Sequence, residues 1–252
     1  MPDDSQAERT RDSSMAAHAY AAIKKRILDS RYVPGERLSE AQLAKELGLG
    51  RSPIRSALAK LKSDGWIAVS PQSGTYIKSL SDGERADLVD LRLLLETHAT
   101  ALAAHAIRDE DLRRLRCAFA ASCPEGVAKL NERAFDDFNE FDSLFHLTIY
   151  RAAGNALIAD ILANLLDKVQ WLKTSTRPSA ARIRSGYTEL KRILDALEAR
   201  QPDEAALRMR EHITNAADFA ARTSAPWNGA GKQPVPIVKR RSRGPAPRRR
   251  RA

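Results

Sequence analysis

From Ser14 to Ser30 the apolar residues Tyr20, Ile23 and Ile27 recur at helical spacing, and Lys24, Lys25 and Arg26 complete the exposed side. This pattern predicts a first helix. It stops before Val33-Pro34-Gly35, a turn, after which Leu38 is expected as a buried anchor. Ser39-Glu40-Ala41-Gln42 has the Ser-x-x-Gln form of a capping box, opening a helix with Leu43, Ala44 and Leu47 inward and Gly48 at its end. Leu49 and Gly50 make a tight turn. Ser52-Pro53 then supplies an N-cap and a first-turn proline for a helix carrying Ile54, Ala57, Leu58 and Leu61 on one face. After Gly65, two short strands, Trp66–Val69 and Thr75–Lys78, flank Pro71-Gln72-Ser73-Gly74. The first 13 residues are polar and aperiodic, and a flexible lead-in is expected there.

Residues 81–223 show no alternating strand pattern. Six helices are predicted, over 83–107, 109–121, 126–153, 156–175, 180–199 and 203–222, separated by breaks such as Cys123-Pro124-Glu125-Gly126, Gly154-Asn155 and Gln201-Pro202-Asp203. The short links favour antiparallel neighbours, and stripes such as Leu190, Ile193, Leu194 and Leu197 read as core. The expected fold is mainly α: an N-terminal winged helix-turn-helix (14–80) followed by an all-α antiparallel helical bundle (81–223).

Charge refines this division. The 252 residues carry a formal net charge of +10, distributed as +4 over 1–80, −3 over 81–223 and +9 over 224–252. The last segment, with Lys232, Lys239, Arg240, Arg241, Arg243 and Arg248 to Arg251 among Pro and Gly, is expected to be disordered. It reads either as a solubilising appendage or as a polycation that strengthens non-specific DNA contact. No window approaches the roughly 18 apolar residues of a membrane span, and the first 30 residues lack the apolar core of a signal peptide, so a cytoplasmic protein is expected, with no membrane partner. Cys117 and Cys123 lack a CxxC partner pair and read as small core or surface residues.

The second short helix of the N-terminal segment presents Arg51, Ser52 and Arg55 at its start and Lys60 and Lys62 further along. A helix start inserted into the major groove brings an arginine to guanine edges, while hydroxyl, backbone N–H and other basic groups take phosphates. A small helical domain with a hairpin and no partner is the bland alternative, disfavoured by the net +6 of residues 14–80. The run Pro34-Gly35-Glu36-Arg37-Leu38-Ser39-Glu40, followed by Leu43-Ala44, Leu47-Gly48, Arg51-Ser52-Pro53-Ile54-Arg55, Leu58, Leu61, Gly65-Trp66-Ile67 and Gly74, resembles the winged helix of the GntR family of bacterial transcription regulators. The resemblance implies that Arg51 and Arg55 are the principal contacts to double-stranded operator DNA, Ser52 a backbone or base contact, and Gly74 the wing tip in the minor groove. Two positions depart from the family pattern. Ala41 stands where an arginine is common, and Gly50 where a hydroxyl residue is usual.

In the bundle, Asp142 and His146 are four residues apart and share a helix face within an apolar stretch. Such a pair serves either as two metal ligands or as a surface hydrogen bond, and His212 adds a third ligand only if its helix faces theirs. The order of Arg92-x-x-x-Glu96, Asp142-x-x-x-His146, Ala152-Ala153-Gly154-Asn155, Ile193-Leu194-Asp195-Ala196-Leu197 and Met209-Arg210-Glu211-His212 resembles the FCD ligand-binding domain of FadR-type GntR regulators. In that family an Asp and three His commonly hold a divalent metal that helps bind a small carboxylate effector. The resemblance implies metal ligation by Asp142, His146 and His212, with Leu190 in place of the fourth ligand. A two-His, one-carboxylate site suits zinc, manganese or nickel. Arg92 and Asn155 are the implied effector-binding residues, Arg92/Glu96 also being readable as a helix-surface pair. His98 and His105 read as packing or surface groups, one of which could compensate for Leu190. The expected function is a homodimeric, effector-controlled regulator, a repressor, at the bacterial nucleoid. A metal-dependent small-molecule enzyme and a non-specific nucleoid-binding protein are the alternatives.

Overall fold

The computed structural model describes residues 4–70, 74–123, 133–176 and 178–223. The basic segment 224–252, the wing-turn residues 71–73 and the stretch 124–132 lie outside the described residues. Helix α1 (Asp4–Leu28) starts ten residues before the expected Ser14, which corrects the expectation of a flexible lead-in for residues 4–13. Gln6, Ala7, Glu8, Arg9 and Arg11 are good helix formers, and no Gly or Pro interrupts the segment. An aperiodic polar stretch can therefore extend a helix whose later turns bury Ala19, Ile23 and Ile27.

The helix-turn-helix follows. The Ser39 hydroxyl accepts the Gln42 N–H at 3.4 Å at the start of α2 (Glu40–Leu47), and Gly48 ends that helix in the left-handed region, φ 65°. Only half of the expected capping box forms, because the Gln42 side chain donates to Glu46 instead. Helix α3 (Arg51–Ser63) also departs from expectation. Gly50, extended at φ −66° and ψ 167°, is its N-cap, which places Ser52 and Pro53 inside the first turn. Proline is tolerated there because first-turn nitrogens have no intrahelical acceptor. Pro53, Ile54, Ala57, Leu58 and Leu61 form the buried face, set against α1.

Strands β2 (Ile67–Ser70) and β3 (Gly74–Ile77) pair antiparallel, Ile67 opposite Ile77 and Ser70 opposite Gly74. A third strand, β1 (Arg37–Leu38), adds to the other edge of β3 in the order β1-β3-β2. Two residues are too few to show an alternating pattern in sequence, yet the pairing buries Leu38 as expected.

The C-terminal bundle consists of α4 (Asp82–Ala106), α5 (Asp109–Ser122), α6 (Ala134–Ala152), α7 (Ala156–Thr176), α8 (Ala180–Glu198) and α9 (Pro202–Thr223). The bounds lie within one residue of those predicted, except at the start of α6, where the predicted stretch 126–132 lies outside the described residues and the helix is described from Ala134. Helix α4 opens with a reciprocal cap: Ser81 Oγ accepts the Glu84 N–H and Glu84 Oε2 accepts the Ser81 N–H. Its partners α9 and α6 hold it from two sides. An aromatic cluster of Phe119, Phe138, Phe141, Phe145 and Tyr187 fills the centre, Phe138 meeting Tyr187 edge-on at 5.0 Å between ring centroids. Cys117 is exposed and Cys123 buried, both as free thiols.

That aromatic cluster sets a tight limit at Gly186 on α8, where a Cβ would lie 2.5 Å from Phe138 Cζ and 2.7 Å from Cε2. Overpacking of this kind typically costs about 1–3 kcal/mol. Gly186→Val is expected to lower the free energy of unfolding within that range, measured by urea denaturation. An unchanged midpoint would show that the Phe138 ring yields freely.

Candidate nucleic-acid interface and metal centre

The outer face of α3 alternates with its buried face through the whole helix, leaving Arg51, Ser52, Arg55, Lys60 and Lys62 exposed. Gly50 offers no side-chain cap, so the opening N–H groups of α3 remain available to an anion. Two of the candidate contacts are occupied by carboxylates of the chain itself. Arg55 Nε donates to Glu40 Oε2 at 2.9 Å, and Ser52 Oγ donates to Asp12 Oδ2 at 3.0 Å. Both partners of the Arg55–Glu40 pair are exposed, so it stabilises by at most about 1 kcal/mol and is readily exchanged for a phosphate or a base edge.

Gly74 opens β3 at φ 116°, a conformation that favours glycine. The Arg37 guanidinium lies over it: a Cβ on Gly74 would come within 2.9 Å of Arg37 Nε. Arg37 thus stands beside the wing. Sequence reading singled out Leu38 and passed over Arg37, whose exposure on β1 follows only from the strand pairing.

Inside the bundle the structure brings Asp142, His146 and His212 together. One ligand atom from each lies within 4.8 Å of the others, and all three residues are buried. Asp142 Oδ1 is 3.8 Å from His146 Nε2 and 3.8 Å from His212 Nε2. The remaining ring nitrogens face carboxylates: His146 Nδ1 lies 2.8 Å from Glu96 Oε2, and His212 Nδ1 lies 2.8 Å from Glu189 Oε2. At His212 this contact is a hydrogen bond, so its neutral ring carries the proton on Nδ1 and a lone pair on Nε2.

Asp142 Oδ1 and the two Nε2 atoms thus converge at distances too long for hydrogen bonds to the carboxylate. Asp142 Oδ1 and His146 Nε2 are buried with no hydrogen-bond partner among the described residues. Carboxylates behind imidazoles, and lone pairs aimed at one point, are what a divalent metal site requires. The residues present fit such an ion.

The surrounding charges balance. Arg92 Nε bonds Glu96 Oε1 at 2.5 Å, Lys173 Nζ bonds Asp142 Oδ2 at 2.6 Å, and Arg182 grips Glu189 through two bonds of 2.9 Å. Gln170 Nε2 also donates to Asp142 Oδ2, at 2.9 Å. Burial by itself would raise the Asp142 carboxyl, but the Lys173 ammonium outweighs it and holds the group well below the usual carboxylate range. Glu96 is likewise held down against burial by Arg92 and His146. At Glu189, burial is overcome by hydrogen bonds from His212 and Arg182, which bring its pKa to about 2. Burial pushes His212 below its ordinary value despite the Glu189 bond, keeping it neutral.

The other expected residues are placed as follows. Arg92 and Glu96 form a buried pair, which corrects the surface-pair alternative. Asn155 is exposed, and its Oδ1 accepts the Ile158 N–H at the start of α7, outside the buried cluster. Leu190 is fully buried in the apolar core, and neither His98 nor His105, both exposed, replaces it as a ligand. Glu189, Gln170 and Lys173 escaped sequence reading. The signal was a polar residue at an inward position of an otherwise apolar stripe, visible only once the faces of α7 and α8 are known.

Residues 15–77 match the family model of the bacterial regulatory proteins, gntR family, and residues 87–215 match that of the FCD domain. The gluconate operon transcriptional repressor of Bacillus licheniformis is 30% identical over 187 residues, covering 73% of this chain and 72% of that protein. The HTH-type transcriptional repressor RspR of Escherichia coli is 25% identical over 198 residues, 77% of this chain and 83% of its own. Among solved structures, E. coli McbR/YncC superposes with a TM-score of 0.69 at 20% identity, covering 82% of this chain and 97% of that one. Lar of Listeria monocytogenes gives 0.52 at 21%, over 83% and 97% of the two chains. These structures share the fold.

The buried charges make stability depend on pH. His212 is depressed in the folded chain relative to 6.5, so below that pH the unfolded chain takes up the proton first and stability falls. Glu189 adds a second loss as pH drops from 4.5 toward about 2. Urea denaturation is expected to give constant stability above pH 7, a decline beginning near pH 6.5 and a steeper one below 4.5. Equal stability at pH 7.5 and 5.5 would contradict a neutral His212.

Proposed function

Because the chain belongs to the GntR family of bacterial transcriptional regulators, in the branch that carries an FCD domain, we propose that it is a homodimeric repressor whose hold on operator DNA is set by a small carboxylate bound beside a divalent ion in the bundle. Arg51 and Arg55 read bases from the major groove, Ser52 holds the backbone, and Gly74 lets the wing enter the minor groove. The exposed Leu91 and Leu94 of α4 supply apolar surface for a second copy. The segment 224–252 adds phosphate neutralisation without reading sequence. No helix among the described residues is long and apolar enough to cross a membrane, in keeping with action at the nucleoid in the cytoplasm.

The observation that carries the ligand assignment is the convergence of three potential ligand atoms, one each from Asp142, His146 and His212, within a charge-balanced cluster. Arg92, Lys173 and Arg182 offset Glu96, Asp142 and Glu189, so a divalent ion adds two positive charges to a balanced set. An anionic ligand restores the balance. Zinc, manganese or nickel suits two imidazoles and a carboxylate, and when bound such an ion supplies open positions to a ligand carboxylate. With Leu190 giving no fourth protein ligand, metal affinity is modest. Arg92 is the residue proposed to orient the acid through a bidentate bond, in exchange for part of its hold on Glu96. The pocket is assigned to binding, in a family of regulators.

A mobility-shift assay on the DNA upstream of the protein's own gene, with a panel of small organic acids and each of the three metals, tests the whole reading. Arg51→Ala and Arg55→Ala are each expected to weaken operator binding by about 1–3 kcal/mol with circular dichroism unchanged. Wild-type affinity in both variants would remove the recognition helix from the account.

Metal and the correct acid together should raise the melting temperature more than either alone, since each completes the surroundings of the other. His146→Ala should abolish the metal response and leave DNA binding intact. If metal-stripped wild type responds to the acid as strongly as the loaded protein, the pocket binds its acid without metal.

A further inference from the structure

Helix α7 belongs to both halves of the molecule. Asp167 Oδ2 pairs with Lys24 Nζ of α1 at 2.5 Å. One turn on, Trp171 is buried in the apolar core of the winged helix, edge-on to Trp66 at 5.9 Å between centroids. Lys168 reaches the turn before Trp66, its Nζ 3.6 Å from where a Cβ on Gly65 would be. Gln170 and Lys173, meanwhile, both donate to Asp142 Oδ2. Positions 167 and 171 share one helix face and 170 and 173 another, about a third of a turn away. Within seven residues the helix thus holds a ligand-pocket carboxylate with one face and the DNA-binding half with the other.

Trp66 is well placed to receive a displacement. Its backbone N–H donates to Leu61 O in the last turn of α3, and its backbone carbonyl accepts the Lys78 N–H just beyond the wing strand β3. Lys24 lies over its ring at 5.2 Å. A shift of this one side chain therefore moves the end of the recognition helix and the root of the wing together.

We propose that α7 is the lever by which the state of the Asp142–His146–His212 pocket reaches the recognition helix and wing, with Gln170 and Lys173 as positioning residues at one end and Trp171 against Trp66 at the other. This deepens the pocket assignment and rests on it. Any cation received by Asp142 competes with the Lys173 ammonium for the same carboxylate and repels it, so the seat of α7 on Asp142 changes when the pocket fills. Trp171 lies on the same rigid turn, in a close-packed core that passes a displacement on rather than absorbing it.

A double-mutant cycle on the full chain, without metal or acid, tests this by hydrogen–deuterium exchange of peptides spanning residues 51–70. Asp142→Asn, which removes the charge that seats Lys173, is expected to change exchange there by roughly fivefold or more. In a Trp171→Leu background the same substitution should change it less than about twofold. Lys173→Met replaces Asp142→Asn, and Trp171→Phe replaces Trp171→Leu, if either first choice unfolds by near-ultraviolet circular dichroism. No effect of the pocket substitution, or an equal effect in both backgrounds, overturns the lever. Calorimetric titration of wild type with manganese separates the two claims. Binding with an additive cycle sinks the lever alone, whereas a coupled cycle without binding sinks the metal assignment and leaves the lever standing.

Discussion

A carboxylate buried at the centre of a helical bundle must either take up a proton or be surrounded by enough positive charge and donors to stay ionised. Asp142 is surrounded. Helix α7 brings Lys173 and Gln170 to one oxygen, and α6 and α9 bring imidazoles toward the other. Those imidazoles are oriented in turn by Glu96 of α4 and Glu189 of α8, which are balanced by Arg92 and Arg182. Five helices are thereby fixed in rotation relative to one another, because turning any of them would strand a charge away from water. Apolar packing alone tolerates a range of arrangements; this network selects one.

The bundle helices were legible in the sequence because their apolar positions repeat over several turns and most of them end at an explicit Pro, Gly or Asn. The N-terminal reach of α1 was not, since residues 4–13 are helical through propensity and carry no periodic apolar stripe. The N-cap of α3 was misplaced by two residues because Ser52 is a better cap by side chain than Gly50, while backbone geometry chose the glycine. Asp142 and His146 could be paired by their spacing on one helix. Their meeting with His212, and the supporting roles of Glu96, Glu189, Gln170 and Lys173, depend on contacts between helices up to 70 residues apart in the chain. Nothing in a local pattern encodes them.

The residues proposed to face DNA show a related economy. Arg55 and Ser52 rest on Glu40 and Asp12, and in the proposed complex an operator phosphate or base edge takes the place of those carboxylates. Because the Arg55 pair is open to solvent, exchanging it costs little, and the arginine is held near the helix start without being locked there.

Trp171 also bears on how such a protein can be assembled from parts. The apolar core of the winged helix is completed by a side chain that arrives 94 positions after Ile77, from within the sensor. The chain looks divisible near residue 80, but a cut there would leave Trp66 with a bare face, and a foreign sensor joined at that point would have to present an apolar group of matching shape. Recombination that swaps sensors behind this winged helix therefore carries a packing requirement across the junction, and the reader and the sensor are constrained to change together.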